Sequence, residues 1–180
     1  MQLTTHFADF EFTCKCCGVN LIKTDFVKDL EQLYRLLDDV VGIKAIYVNS
    51  GYRCSRHSLE VGGSTDDAHT QGFAADIKVM LRDGSYLDCW TIAEAAELFG
   101  FGGIGIISDI DVHLDRRDKY PYKNNHWYGN EKTGENYQSF IDGSKYTAAL
   151  QQAVRQLQKH KIQFTCTFDD KKYSGLLEEV

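Results

Sequence analysis

Residues 109–115, Asp-Ile-Asp-Val-His-Leu-Asp, alternate polar and apolar without a break, and no other feature constrains the fold as much. Side chains along a strand point to opposite faces with a period of two. Ile110, Val112 and Leu114 therefore share one face, and Asp109, Asp111, His113 and Asp115 the other. The apolar face calls for burial against other elements. A face of three aspartates and a histidine admits two readings. It is either an edge strand with a solvated acidic surface, or a set gathered for a metal ion, where carboxylates orient a ligating imidazole or take a proton from bound water.

Residues 64–76, Ser-Thr-Asp-Asp-Ala-His-Thr-Gln-Gly-Phe-Ala-Ala-Asp, supply matching ligands: His69 and Asp76 stand seven residues apart around Gly72. A catalytic zinc takes three protein ligands and leaves a fourth position for water, whose pKa it lowers to about 7. Two histidines and one carboxylate meet that need, with His113 as the third candidate. At this spacing His69 and Asp76 are not helical neighbours, but a loop returning into a strand through a turn at Gly72 brings them together.

The remaining elements follow from periodicity. Phe26, Val27, Leu30, Leu33, Tyr34 and Leu37 recur at three and four residues, which predicts an amphipathic helix capped by Thr24. Residues 45–49 predict a strand ending in a loop that carries Tyr52, Arg53 and Cys54. Residues 55–70 lack a period and read as a long loop, followed by a short strand at 74–79. A second helix is expected over 90–99, with Asp88 as N-cap and Gly100 as its stop, then strands near 103–107 and 110–114. Gly100 to Gly105 do not make a dinucleotide loop, because that motif needs a strand before it and a helix after it. They read instead as a helix stop and a strand that something approaches closely. Beyond a polar stretch at 129–142, a helix is expected over 144–160. Alternation at Ile162, Phe164, Cys166 and Phe168 then predicts two strands turning at Asp169-Asp170.

Composition narrows the function. At 180 residues the chain buries roughly 70% of its unfolded surface without disulfides. A net charge of −6 with no basic stripe argues against nucleic acid as a partner. No apolar run approaches the ~20 residues of a membrane span, and the first ten residues lack the basic and apolar regions of a signal peptide. The expectation is synthesis in the cytoplasm with no transmembrane segment. The six cysteines then read as free thiols or metal ligands rather than a disulfide framework. Cys14, Cys16 and Cys17 form one tight group without a second pair, Cys54 reads as packing, and His57 lies in a loop from which it could reach the His69 site, although an exposed or hydrogen-bonded histidine is the favoured reading.

Taken together, Ser50-Gly51-Tyr52-Arg53-Cys54, Val61-Gly62-Gly63, His69-x-x-Gly72-x-Ala74-Ala75-Asp76-Ile77, Gly103-Ile104-Gly105 and Val112-His113-Leu114-Asp115 resemble the zinc D-Ala-D-Ala carboxypeptidases and murein endopeptidases, the group that includes lysostaphin and the hedgehog signalling domain. Phe10 to Cys16 also resembles the opening of phage and bacterial members. The likeness covers roughly residues 7–128, in order. It implies that His69, Asp76 and His113 bind Zn2+, that Arg53 holds a substrate carboxylate, and that the substrate is a stem peptide or cross-link of peptidoglycan. Trp127 falls where relatives often have a tryptophan near the site.

Two departures stand out. Asp67 replaces a serine common two residues before the first histidine, and Ile110 stands where many relatives carry the acidic catalytic base. Strand alternation makes Asp111 the first candidate for that base, with Asp115 as a carboxylate partner of His113. The fold expected is α+β: a small antiparallel sheet carrying the zinc ligands, flanked by helices. Residues 1–130 would form the peptidase domain and 131–180 a C-terminal extension of helix and hairpin. The setting implied is a phage or prophage endolysin that reaches the cell wall through a holin. The alternatives are a non-catalytic zinc-binding module with a partner-binding role and a phage particle protein with wall-degrading activity.

Overall fold

The computed structural model describes residues 1–119, 125–162, 165–168 and 171–174. A short 3-10 turn at Asp9–Phe12 precedes α1 (Thr24–Val41), β1 (Ile43–Ser50), α2 (Ser55–Glu60), β2 (Ala74–Leu81), α3 (Cys89–Phe99), β3 (Gly103–Ile106), β4 (Asp111–Asp115), β5 (Trp127–Asn130), α4 (Thr147–Ile162), β6 (Thr165–Phe168) and β7 (Lys171–Ser174). The first five strands form one sheet in the order β1-β2-β4-β3-β5, antiparallel except where β5 joins β3. β6 and β7 pair with each other, antiparallel, and the expected turn at Asp169-Asp170 lies outside the described residues. This is the α+β architecture the sequence predicts.

Alternation decides which face of the sheet is covered. Ile77, Val79, Ile104, Ile106, Val112 and Leu114 are buried in one core with Leu30, Leu33 and Leu37 of α1, Ile92 and Ala96 of α3, and Leu150 and Val154 of α4. At roughly 1.5 to 3 kcal/mol per large side chain buried, this face supplies most of the cohesion that offsets chain entropy. The opposite face bears Asp76, Asp111, His113 and Asp115, so the acidic set belongs to a central strand, not to a solvated edge.

Helix boundaries follow local chemistry. Asp88 caps α3 by accepting the Thr91 N–H at 2.9 Å, and Gly100 ends it in the left-handed region. The N-cap of α1 is Lys23 rather than Thr24, with no side-chain bond to the helix; the Lys23 N–H instead binds the Gly72 carbonyl at 2.7 Å. Residues 55–60 form α2 where a loop was expected. Six residues are too few to show a period, and their start is fixed by the Cys54 sulfur accepting the His57 N–H.

Two buried carboxylates fasten the periphery. Glu31 of α1 accepts the His6 N–H at 3.1 Å, the His6 Nδ1 at 2.9 Å and the Arg35 Nε at 3.3 Å, which ties the N-terminal strap to the core. Glu94 of α3 accepts the Asp142 N–H at 2.9 Å and the Thr147 hydroxyl at 2.6 Å, which seats the segment leading into α4. Among the described residues no helix is long and apolar enough to cross a membrane.

The strap also backs the loops that present the site. The Tyr52 N–H binds the Phe12 carbonyl at 2.9 Å, and a Cβ on Gly51 would lie 2.5 Å from the Phe12 Cα. Gly72 turns with φ of 78°, and a Cβ there would overlap the Leu21 carbonyl. Gly18 has φ of 72° but nothing near its missing Cβ. Gly72→Ala should therefore cost about 2 kcal/mol or more in a urea unfolding series, and Gly18→Ala about 1 kcal/mol; equal losses would contradict the steric role of Gly72.

Candidate metal centre

Strand register and one turn bring the candidate ligands together. Asp76 of β2 lies directly opposite His113 of β4, and the same row continues to Ser50 on β1 and Gly105 on β3. His69 arrives from the turn before β2, which closes through the Gly72 N–H to the His69 carbonyl at 3.1 Å. Asp67 organises the approach to that turn. Its carboxylate accepts the Thr70 N–H at 2.9 Å, the Ser64 N–H at 3.3 Å and the Ser58 hydroxyl. Burial raises its pKa, yet these donors outweigh burial and hold it below the usual carboxylate range. The departure at position 67 is thus a loop-building residue.

Three donor atoms face one point. His69 Nε2 is 3.1 Å from His113 Nδ1, His113 Nδ1 is 3.0 Å from Asp76 Oδ1, and His69 Nε2 is 3.2 Å from Asp76 Oδ1. A tetrahedral zinc with bonds of ~2.0–2.1 Å separates its ligand atoms by about 3.3 Å, so the donor set fits that ion with little adjustment. The side chains of His69 and His113 are more than nine-tenths buried, and that of Asp76 is 13% exposed.

Each imidazole is oriented from behind. His69 donates its Nδ1–H to the Gly51 carbonyl at 2.7 Å, leaving the Nε2 lone pair forward. His113 donates Nε2–H to Asp115 Oδ2 at 3.1 Å, leaving Nδ1 forward. Asp115 is fully buried and is itself held by Arg117, with Nε at 2.9 Å and Nη2 at 2.6 Å from Oδ2. Such a partner fixes the ring and raises its basicity toward a metal. Room for this carboxylate comes from Gly103, directly across β3, where any Cβ would overlap it.

The electrostatics are those of a cation site holding a proton. Burial depresses the pKa of His113, but hydrogen bonds to Asp115 and Asp76 outweigh it and raise it to about 10. Burial works against ionisation of Asp76 as well, and contacts with His113 and His69 push its pKa far below the usual range. Asp115 is held low in the same way by His113 and Arg117. The shared proton on His113 Nδ1 lies among the atoms that would bind metal.

The remaining predicted residues fall around this core. Arg53 pairs with Asp76 Oδ2 through Nη2 and binds the Ser50 hydroxyl through Nε at 2.8 Å, so it fixes the carboxylate oxygen that faces away from the histidines. Asp111 lies on the same face of β4 as His113, but its carboxylate takes Asn49 Nδ2 at 2.6 Å and the Ser108 hydroxyl at 2.5 Å. Trp127 forms a half-buried wall with the Arg117 guanidinium 5.1 Å above its ring. His57 does not join the three. It sits in α2 with Nδ1 3.4 Å from the Cys14 sulfur, the hydrogen-bonded histidine that the sequence favours.

One site residue went unread in the sequence. Glu131, just after β5, places Oε1 3.8 Å from His113 Nδ1, and its side chain is 41% exposed. It enters over Gly105, where a Cβ would lie 2.8 Å from that oxygen. Gly103 and Gly105 were the available signal: a strand stripped of side chains opposite Asp115 and His113 needs something to fill the space.

A sequence profile described as Peptidase M15 matches residues 5–115. The chain belongs to the peptidase M15 family, a family of zinc metallopeptidases, and the His69, Asp76 and His113 donors suit that metal. No curated protein gives a match.

Two outcomes follow. Asp115→Ala should weaken zinc binding about 10- to 100-fold in a chelator competition, because His113 loses its orienting partner; unchanged affinity would remove Asp115 from the centre. The raised pKa means that folded, metal-free protein keeps the His113 proton below pH 10, so zinc must displace it and affinity must rise with pH. Calorimetry at pH 8 in buffers of different ionisation enthalpy should show about one proton released per zinc at this site, whereas none would contradict the protonated state.

Proposed function

We propose that the protein is a zinc-dependent peptidase that hydrolyses peptide bonds of bacterial peptidoglycan, with His69, Asp76 and His113 as metal ligands. The observation that supports it most is the trio of donor atoms 3.0 to 3.2 Å apart, each imidazole oriented from behind, in a chain of the M15 family. Bound there, zinc supplies Lewis acidity toward a scissile carbonyl and an acidified water near neutral pH.

The chain's own residues do the rest. Glu131 is the carboxylate placed to take a proton from the attacking water and return it to the leaving amine. It stands beside the ligand cluster, its side chain is partly solvated, and no other side chain takes up its Oε1 among the described residues. Asp111 is the weaker candidate because Asn49 and Ser108 already hold it. Asp115 keeps His113 oriented and stays ionised. Arg53 uses Nε and Nη2 on Ser50 and Asp76, and a guanidinium has five N–H donors in a planar fork. The remaining donors suit a free carboxylate, which favours a D,D-carboxypeptidase over an endopeptidase.

The competing view, a zinc-binding module without catalysis, drew its support from Ile110 standing where relatives carry an acid. Glu131 fills that function from a different strand end. The expected division at residues 130 and 131 then cuts through the site, and we place Glu131 with the peptidase unit. The likeness of Phe10 to Cys16 to phage members supports a lysin as the biological setting.

Digestion of purified peptidoglycan by the zinc-loaded protein, read by mass spectrometry, should release terminal alanine from stem peptides. Cleavage within a cross-link would make it an endopeptidase, and no cleavage of any muropeptide would contradict peptidase function. Glu131→Gln should lower kcat about 10²- to 10⁴-fold with zinc content unchanged, while Asp111→Asn stays within a few-fold of wild type. The opposite ranking would return the base to Asp111.

A further inference from the structure

A second group of metal-binding atoms lies away from His69. Cys14, Cys17 and Cys54 bring their sulfurs within 4.8 Å of one another. Two belong to the turn Cys14-Lys15-Cys16-Cys17-Gly18, and the third opens Cys54-Ser55-Arg56-His57. The turn is closed by the Gly18 N–H on the Cys14 carbonyl and the Cys14 N–H on the Val19 carbonyl, each at 2.9 Å. The His57 ring joins from the other segment, with Nδ1 3.4 Å from the Cys14 sulfur. A tetrahedral zinc separates two bound sulfurs by about 3.8 Å and a sulfur from a nitrogen by about 3.6 Å, so the three sulfurs need only a small closure, while the His57 ring must turn from Cys14 toward the other two to complete the set.

Backbone donors reach two of the sulfurs, Cys14 and Cys54, and favour their thiolates, which a metal requires. The Cys54 N–H points at the Cys14 sulfur at 3.4 Å, and the His57 N–H at the Cys54 sulfur at 3.5 Å. Burial raises the Cys14 pKa, but the Cys54, Cys16 and Cys17 N–H groups and the His57 ring outweigh it and bring it to about 6. A thiol so lowered binds metal readily.

We propose that Cys14, Cys17, Cys54 and His57 bind a second zinc ion, structural in role. Two x-x-spaced pairs, Cys14 with Cys17 and Cys54 with His57, match the ligand arrangement of closed structural sites. Cys16 stays outside. Its sulfur lies 3.8 Å from that of Cys54 but takes the Arg56 guanidinium at 2.7 Å. The ion clamps the N-terminal strap to the start of α2, whose N-cap Cys54 follows Arg53 directly. It therefore fixes the substrate-carboxylate anchor from behind, and it does so independently of what the His69 centre catalyses.

Metal analysis of reductively purified protein tests this. Wild type should hold two zinc ions per chain, His113→Ala one and Cys17→Ser one, while Cys16→Ser keeps two. Cys17→Ser should also lower the thermal midpoint by about 10 °C or more and raise KM more than it lowers kcat. Cobalt replacement in the wild-type chain needs no variant: a thiolate-to-cobalt charge-transfer band that persists in His113→Ala supports the site. A single zinc lost in His113→Ala and kept in Cys17→Ser, with no such band, overturns it and leaves the His69 centre standing. A band with only one metal, retained in His113→Ala, supports this site and counts against the His69 one. Two fewer titratable thiols in the denatured protein would mean a disulfide and also overturn it.

Discussion

The pairing of β2 with β4 that sets Asp76 opposite His113 is the contact on which the rest depends. Because strand side chains alternate, that one register gives both strands an apolar face and a ligand face. A slip of one residue would turn the ligands into the core and Ile77 and Val112 onto the site. The apolar face, packed by α1, α3 and α4, is therefore what holds the metal geometry. The N-terminal strap adds a second restraint through the Gly51 and Gly72 turns, which aim the His69 ring and carry Arg53.

Around this register the buried charges form a continuous chain. Trp127 lies under Arg117, Arg117 binds Asp115, Asp115 holds His113, and His113 meets Asp76, which pairs in turn with Arg53. Removing His113 takes one partner from each of two carboxylates, Asp76 and Asp115, in a desolvated place, which is costly. A cation among His69, Asp76 and His113 completes the balance that a single proton otherwise keeps.

Much of this was legible in the sequence because it rests on local rules. The period of α1, the Asp88 and Gly100 caps of α3, and the alternation of β4 depend on neighbours within a few residues. The cluster of His69, Asp76 and His113 was legible because two lie around one turn and the third lies on a strand with an unmistakable face. What escaped depends on contacts between distant segments. Glu131 reaches the site through the parallel pairing of β3 with β5, which no short window of sequence encodes. Cys54 and His57 meet Cys14 and Cys17 only after the strap folds back, although the two x-x spacings were there to be compared. The short α2 has no period to detect.

Strand register aims Asp76 Oδ1 and His113 Nδ1, and the turn at Gly72 with the Gly51 carbonyl aims His69 Nε2, at the position of one zinc ion. Anomalous diffraction at the zinc edge from crystals of the loaded protein tests this most directly. A peak is expected at ~2.0–2.2 Å from those three atoms, with His69 Nδ1 still on the Gly51 carbonyl and His113 Nε2 still on Asp115. A peak bound through the other ring nitrogens, or zinc absent from these three residues while Arg53 and Asp76 stay paired as they are, would contradict it.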